Sequence, residues 1–142
     1  MEVLQDINHR IEQWIQMIAL KVEQMQQDFY VETKKNELDL VTNIDKAIQA
    51  DFANLLKEYY PNHQLMGEEK SNTEVDMYRG YAWAIDPIDG TTNLVKQGKD
   101  YCLILSLFYN GEPLLAYTYE FYQRKLYKAV KGEGVTINGQ SL

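Results

Sequence analysis

The stretch that most constrains the fold is YCLILSLFYNGEPLLAYTYEF, residues 101–121. Branched apolar and aromatic residues, which favour strands, fill both halves of this stretch. Asn110-Gly111, a dipeptide typical of a two-residue hairpin turn, separates the halves. The stretch therefore predicts a β-hairpin of two long strands.

The chain before the hairpin begins with helical patterns. A first helix is marked by an apolar stripe that recurs every three or four positions: Leu4, Ile7, Ile11, Trp14, Ile15, Ile18, Val22 and Met25. After the polar stretch TKKNELD and a short strand-like LVT, a second helix is predicted to begin near Thr42 and to end at Pro61. Such stripes pack in a core or against another subunit.

Shorter strand-like segments precede and follow the hairpin. HQLMGEE and YAWAI come before it, and RKLYKAVKGEGVTING predicts two more strands around Gly132 and Gly134. Helices come first and hairpin-linked strands follow, which indicates an α+β fold with two N-terminal helices packed on a largely antiparallel sheet. The 142 residues suit one such unit, residues 1–142.

Charge and composition narrow the class of partner. The formal net charge of −7 argues against a nucleic-acid partner, which needs a basic face. No apolar run approaches the length of a membrane span, and MEVLQDINHR does not resemble a secretory signal. Cys102, the single cysteine, is predicted to be a small buried side chain. We therefore expect a cytoplasmic protein without a membrane or nucleic-acid partner.

Two aspartates at the end of the strand YAWAI are the first candidates for chemistry. In WAIDPIDGTTN, Asp86 and Asp89 flank Pro87, and a tight bend there would let both carboxylates converge on one point. Two like charges so close raise one pKa unless a cation lies between them. Carboxylates and the Ile88 carbonyl are hard oxygen ligands, which suit Mg²⁺ or Mn²⁺.

The residues after these aspartates favour anion binding. Gly90 allows a positive φ or a close approach to a ligand. Thr91, Thr92 and Asn93 are typical of helix N-termini, whose first amides can donate to phosphate. The local residues leave a second interpretation open, an ordinary capped turn, because Asp-Pro and Asp-Gly are common turn dipeptides.

Further charged positions lie upstream. Glu68 in GEE closes a short strand and would lie beside Asp86 if the two strands are neighbours, and a solvated charge pair is the alternative. Asp45 follows Thr42 by three residues, and a capping box at a helix start would explain it without catalysis. Lys34 and the lysine after it are solvated, or attract phosphate.

Three motifs together resemble the inositol monophosphatase family of metal-dependent sugar phosphatases: DPIDGTTN, GEE upstream of it, and VT-x-x-D further upstream. The resemblance runs from the first helix to GEGVTING. It implies a Mg²⁺-dependent phosphomonoesterase that hydrolyses inositol 1-phosphate, or a related sugar or alcohol phosphate, through metal-activated water. It also implies the N-terminal part of a five-layer αβαβα fold, and a homodimer for the parent protein.

The resemblance assigns metal ligands. It implies that Glu68, Asp86 and the Ile88 carbonyl bind one Mg²⁺, and that Asp86 and Asp89 bind a second. A third, weaker Mg²⁺ would lie near Glu68, which is also implied to be catalytic. Mn²⁺ is the alternative ion.

The resemblance also assigns residues that act on water and substrate. Thr91, hydrogen-bonded to Asp45, would help to activate the attacking water, and the amides of Gly90 and Thr91 would hold the phosphate. The substrate-binding residues implied are Glu68, Ile88, Asp89, Gly90 and Thr91, and Lys34 and Thr92 are further candidates.

The sequence departs from the family pattern in its length. Family members carry a second half, an α/β subdomain with a Trp-Asp-x-Ala-Ala-Gly type motif, and no such motif precedes Leu142. We therefore expect that the C-terminal subdomain is absent from this chain, and that metal binding is weak and turnover small. The alternative is a non-catalytic metal- or phosphate-binding module, or a regulatory interaction module, that kept the fold.

Overall fold

The computed structural model describes residues 2–32, 37–67 and 75–142. Its helices are α1 (Glu2–Glu32), α2 (Glu37–Tyr59) and the short α3 (Thr91–Gln97). Its strands are β1 (Gln64–Met66), β2 (Tyr81–Asp89), β3 (Cys102–Tyr109), β4 (Glu112–Glu120), β5 (Lys125–Val130), β6 (Gly134–Ile137) and β7 (Gln140–Ser141). Of the helices described, none combines the length and the hydropathy needed to span a bilayer.

The seven strands form one sheet in the order β1 to β7. β1 pairs with β2 in parallel, and each later strand pairs with its predecessor in antiparallel fashion. The predicted hairpin is confirmed, because Asn110 and Gly111 have φ values of 50° and 86°, as a type I′ turn requires. The predicted α+β class, with helices on a largely antiparallel sheet, is therefore confirmed.

The last strand, β7, is not predicted by the sequence pattern. Asn138 and Gly139 have φ values of 50° and 86°, so they form a second turn of the same kind between β6 and β7. β7 contains only two residues, which is too short to show the alternation that identifies a strand.

The α1 stripe confirms the helical prediction. Its central members are almost fully buried, whereas Leu4 and Met25 at the two ends are partly buried against the same core. The exposed face carries glutamine, glutamate and a few apolar side chains such as Leu20. The buried members of the α1 stripe are Ile7, Ile11, Trp14, Ile15, Ile18 and Val22.

The predicted start of α2 is wrong. The helix begins at Glu37, so LVT is helical rather than a strand, and Thr42 lies inside the helix instead of at its N-cap. The capping-box interpretation of Asp45 therefore fails. Leu38 and Val41 continue the helical spacing of the later apolar residues toward the N-terminus, which explains the earlier start. The helix ends at Tyr59, before Pro61, as predicted.

Phe52 connects the two long helices to the sheet. It is fully buried on α2, and its ring centroid lies 4.9 Å from that of Trp14 on α1 and 5.3 Å from that of Trp83 on β2. The helices cover one face of the sheet, where Leu105 and Tyr117 are buried side by side. The other face of the sheet carries the candidate site described below.

His63 precedes β1 and is held between aromatic rings. Its ring stacks on Tyr60 at 4.9 Å and on Tyr81 at 4.6 Å, and the Trp83 Nε1–H donates to His63 Nδ1 at 2.9 Å. Partial burial lowers the pKa of His63 below its ordinary value. Protonation of Nδ1 would remove the acceptor that Trp83 uses. The neutral imidazole is therefore the form that fits the folded protein.

This geometry predicts a pH dependence of stability. The pKa of His63 is lower in the folded than in the unfolded chain, so the unfolded chain binds the extra proton first and stability falls as pH drops. The contribution is complete above about pH 6.5 and is lost toward the lower folded pKa. We expect His63→Gln to flatten the fall in melting temperature between pH 7 and pH 5.

The second histidine provides a matched control for that experiment. His9 is exposed on α1, and the chain has only these two histidines. His9→Gln should leave the difference in melting temperature between pH 7 and pH 5 as it is in the wild type. An unchanged acid dependence in His63→Gln would contradict the assignment of that dependence to the stacked imidazole.

Candidate metal and phosphate site

A β-bulge interrupts β2 at the two aspartates. Asp86 pairs with Ile104 on β3 and Asp89 pairs with Cys102, so three steps along β2 match two steps along β3. Pro87, which has no amide hydrogen to give to the ladder, lies inside this irregularity. The predicted tight bend is thus an extra residue within a continuous strand, and β2 extends to Asp89 rather than ending at Ile85.

The bulge places both aspartates on one face of the sheet. In a regular strand, residues three apart point to opposite faces. Here the partners Ile104 and Cys102 are two apart on β3 and share a face, and residues directly opposite each other also share a face. Asp86 and Asp89 therefore lie on the same side, opposite the helices. Asp86 Oδ1 is buried, whereas Asp89 is exposed.

Gly90 forms the corner between β2 and α3. It is the N-cap of α3 and has φ 96° and ψ 41°, a conformation that favours glycine. A Cβ there would also lie 3.0 Å from the Asp100 carbonyl oxygen. The predicted helix start is confirmed, with Thr91 as the first helical residue and Gly90, rather than a threonine, as the cap.

Asn93 fixes the loop that follows α3. Its Nδ2 donates to the Asp100 carbonyl at 2.8 Å, and its Oδ1 accepts a hydrogen bond from Gln97 Nε2 at 3.1 Å. The side chain of Asn93 is thus engaged in holding the corner together. Thr91 is exposed and supplies a hydroxyl group at the start of α3. Thr92 follows it within the same helix.

Two residues that the sequence did not single out for chemistry share the face of the aspartates. Cys102 pairs with Asp89 on one side and with Glu120 on the other. It is half-buried rather than fully buried, and burial, followed by the charges of Asp89, Asp86 and Glu120, raises the pKa of its thiol. Glu120 accepts a hydrogen bond from the Gln123 amide at 2.5 Å. No sequence signal could have revealed this pairing, because a bulge at Leu107 and Phe108 shifts the β3–β4 register by one residue from the register that the two-residue turn sets.

β1 approaches the site from the other edge of β2. Its three residues pair with Ala82, Trp83 and Ala84 in parallel, so the two strands are neighbours, as the placement of Glu68 beside Asp86 requires. Glu68 itself lies outside the described residues. It follows the last paired residue, Met66, by two positions, as Asp86 follows Ala84. Lys34 also lies outside the described residues.

Asp45 lies in the helix layer, on α2. It is half-buried on α2, which packs against both β2 and α3. The fold therefore brings α2 into contact with α3, whose first residue is Thr91. Asp45 and Thr91 lie on neighbouring elements.

The donors present are compatible with a hard divalent cation, although the described residues hold no complete ligand set. Asp86 and Asp89 supply carboxylate oxygens on one face, and the peptide carbonyl of Ile88 lies between them in the chain. No group of three or more His, Cys, Asp or Glu residues converges within ligand distance among residues 2–32, 37–67 and 75–142. A third protein ligand would have to come from elsewhere.

Comparison with known proteins identifies what this arrangement resembles. The family model described as "Inositol monophosphatase family" matches residues 3–142. The chain is 35% identical over 138 residues to inositol-1-monophosphatase of Bacillus subtilis, which covers 96% of this chain and 52% of the relative. It is 33% identical over 110 residues to Nus factor SuhB of Salmonella typhimurium, covering 78% of this chain and 41% of the relative. The chain thus spans about half the length of the curated relatives it matches.

Solved structures agree in fold. A dual specific IMPase/NADP phosphatase bound with D-inositol-1-phosphate is 45% identical and superposes with a TM-score of 0.86 over 98% of this chain and 52% of that one. An IMPase/NADP phosphatase complexed with Mg²⁺ and phosphate is also 45% identical, with a TM-score of 0.84 over 98% of this chain and 53% of that one. The resemblance inferred from the three motifs is confirmed.

Proposed function

Since the chain belongs to the inositol monophosphatase family, we propose that it carries the metal- and phosphate-binding part of a Mg²⁺-dependent phosphomonoesterase. The observation that carries this proposal is the bulge that turns Asp86 and Asp89 toward one face. A phosphatase function agrees with the relatives, one of which is an inositol-1-monophosphatase. Mg²⁺ dependence and the roles of individual residues are the proposed steps beyond the family.

The proposed metal ligands are Asp86, Ile88 and Asp89 on β2 and Glu68, which follows β1 in the sequence. Glu68, Asp86 and the Ile88 carbonyl would hold one Mg²⁺, and Asp86 with Asp89 would hold a second. A third Mg²⁺ would lie near Glu68. Mn²⁺ could take the place of Mg²⁺ as the bound ion. When bound, such ions lower the pKa of water and neutralise phosphoryl oxygens. Without a cation, two carboxylates on one face repel each other, so the same residues favour its binding.

The corner between β2 and α3 would bind the phosphate and orient the water. The amides of Gly90 and Thr91 would donate to phosphate oxygens. The Thr91 hydroxyl would donate its hydrogen bond to Asp45 and accept one from the attacking water, which would help to activate that water. Asp89, exposed at the end of β2, would approach the alcohol part of the substrate. Glu68 would assist water activation, and Lys34 and Thr92 would assist phosphate binding.

The proposed substrate is inositol 1-phosphate or a related sugar or alcohol phosphate. The solved relatives include proteins bound with D-inositol-1-phosphate and with Mg²⁺ and phosphate. The net charge of −7 would repel an anionic phosphomonoester at long range, so a local cation is needed to reverse the field. A metal-dependent site explains how an acidic chain can bind such a substrate.

The test is a Mg²⁺ titration of the folded chain by calorimetry, together with phosphate release from inositol 1-phosphate with Mg²⁺ and with chelator. We expect saturable Mg²⁺ binding and a small, chelator-sensitive release of phosphate. Folded protein that binds no Mg²⁺ would contradict the proposed function. Phosphate release that chelator does not affect would contradict the metal-dependent mechanism.

A second candidate is a regulatory interaction module, because one matched relative is named as a Nus factor. In that case the fold would be kept without turnover, and Mg²⁺ would change neither stability nor activity. The titration above distinguishes the two candidates.

We also propose that the protein is a homodimer in the cytoplasm. Its proposed partner is a small-molecule phosphomonoester rather than nucleic acid or a membrane. Light scattering coupled to size exclusion would test the dimer.

A further inference from the structure

A cavity lies between the second half of α1 and the end of the sheet where β4 turns into β5. Its volume is about 480 Å³, within the range of about 300–1,000 Å³ that is typical of small-molecule sites. The cavity is on the helix-covered side of the sheet, because its lining combines α1 with Tyr119, two residues after the helix-covered Tyr117 on β4. Asp86 and Asp89 lie on the opposite side and do not line it, so the cavity is separate from the candidate metal site.

Aromatic rings form one wall of the cavity. Tyr101, Tyr119 and Phe121 line it and are buried. The ring centroid of Phe121 lies 5.2 Å from that of Tyr101, stacked on it, and 5.2 Å from that of Tyr119, edge-on to it. Tyr122 lines the same cavity and is exposed. Aromatic walls bury flat apolar groups through favourable ring contacts. The cavity therefore suits a ligand that carries an aromatic ring.

The hydroxyl of Tyr119 is the polar group that this wall leaves unused. The Tyr101 hydroxyl donates to Gln26 Oε1 at 2.7 Å, whereas the Tyr119 hydroxyl makes no hydrogen bond with any residue that the structure describes. Only 3% of Tyr119 is exposed, and tyrosine hydroxyls in such places usually have a partner. Burial raises the pKa of Tyr119, so the hydroxyl keeps its proton near neutral pH. It is therefore a free donor for a ligand in the cavity.

An ion pair lies at the rim of the cavity. Arg124 Nη2 is 2.9 Å from Glu23 Oε2, and this contact joins the turn between β4 and β5 to α1. The two side chains line the cavity and are 70% and 48% exposed, so both can contact a ligand. The hydrogen bond between them uses one of the five N–H donors of the guanidinium. Both charges act on Tyr119, which places its hydroxyl in the same part of the cavity.

We propose that this cavity binds a free α-amino acid with an aromatic side chain. The ring would pack on the aromatic wall, the carboxylate would accept from Arg124 and the Tyr119 hydroxyl, and the ammonium would donate to Glu23. A ligand with a single charge would complement only one member of the ion pair, whereas a zwitterion complements both. This binding needs neither the metal nor the two aspartates, so it goes beyond the proposed function.

The first experiment titrates the folded chain with L-phenylalanine and follows binding by NMR. Three related molecules each lack one recognised group: phenylacetate lacks the ammonium, 2-phenylethylamine lacks the carboxylate, and L-alanine lacks the ring. We expect saturable binding of L-phenylalanine, and affinities at least about 10-fold lower for the other three. No binding of L-phenylalanine would overturn the proposal. An equal affinity for phenylacetate or 2-phenylethylamine would overturn the recognition of a zwitterion.

Variants of the rim and the wall locate the binding. Tyr119→Phe keeps the ring and removes a hydroxyl without a partner, so the melting temperature should stay constant while the affinity for L-phenylalanine falls about 10-fold. Arg124→Gln should lower the affinity at least as much. Lys131→Gln is the matched control for the charge change. Lys131 also forms an exposed ion pair, with Glu112, and neither residue lines the cavity, so the affinity should equal that of the wild type.

The outcomes keep this site apart from the proposed function. Wild-type affinity for L-phenylalanine in folded Tyr119→Phe and Arg124→Gln would place the binding elsewhere and overturn the proposal. If Arg124→Gln does not fold, Glu23→Gln tests the same ion pair from α1, with the same loss of affinity expected. A folded wild type that binds L-phenylalanine but no Mg²⁺ would overturn the proposed function and support this site, and the reverse result would do the opposite.

Discussion

Asp86→Asn is expected to lower the affinity of the chain for Mg²⁺ by at least about 100-fold, since a direct ligand should matter more than the residues that orient it. Asparagine keeps the size of the side chain and its place opposite Ile104 in the ladder, so the fold should persist. The change removes one of two carboxylates on the same face. In the absence of metal, the melting temperature should therefore rise slightly, because like-charge repulsion is relieved.

The matched control for this prediction is Asp100→Asn. Asp100 is exposed near the corner of α3 and has φ 63°, a conformation that asparagine tolerates as well as aspartate. It contributes its backbone carbonyl, rather than its carboxylate, to the hydrogen bond with Asn93. The control thus makes the same change in net charge without touching the proposed ligands. Equal Mg²⁺ affinities in the two variants would show that Asp86 is no ligand.

Chelator-sensitive phosphate release should follow the same pattern in the two variants. If the wild type releases phosphate from inositol 1-phosphate with Mg²⁺, Asp100→Asn should retain that activity and Asp86→Asn should lose it. Activity that survives in Asp86→Asn would locate the metal chemistry elsewhere in the chain. Calorimetry and activity together therefore show whether the Mg²⁺ that depends on Asp86 is the Mg²⁺ that phosphate release requires.

The sequence predicted the elements whose signals are local. Two runs of strand-favouring residues and Asn110-Gly111 between them were sufficient for the hairpin, because a type I′ turn needs residues that tolerate positive φ. The start of α2 was predicted wrongly, because the branched residues of LVT and the Thr42-x-x-Asp45 spacing resemble a strand and a cap. Residues before Thr42 continue the helix, and this longer-range periodicity outweighs the local motif.

The candidate site was predictable in its residues but not in its geometry. Two aspartates three apart signal convergence, yet only the register against β3 shows that a bulge brings them to one face. Cys102 and Glu120 share the face for the same reason, since the pairing of β3 with β4 decides which side each occupies.

Phe52→Ala is expected to reduce the free energy of unfolding by about 3–5 kcal/mol, the usual loss for a phenylalanine deleted from a core. The ring is fully buried and lies against Trp14 and Trp83, so its removal opens a cavity between α1, α2 and β2. Small domains are stable by only about 5–15 kcal/mol, so the variant should approach the limit of folding. Denaturation in urea, followed by circular dichroism, measures the change.

Phe108→Ala is the matched control, because it deletes the same side chain from the opposite face of the sheet. Phe108 is only partly buried, on the face that the two long helices do not cover, so we expect its loss to cost less than about half as much. Both tryptophans of the chain contact Phe52, so intrinsic fluorescence should change in Phe52→Ala and stay constant in Phe108→Ala. Equal destabilisation by the two variants would mean that both faces of the sheet are buried to the same degree. That result would contradict the arrangement in which α1 and α2 cover one face and the two aspartates lie on the other.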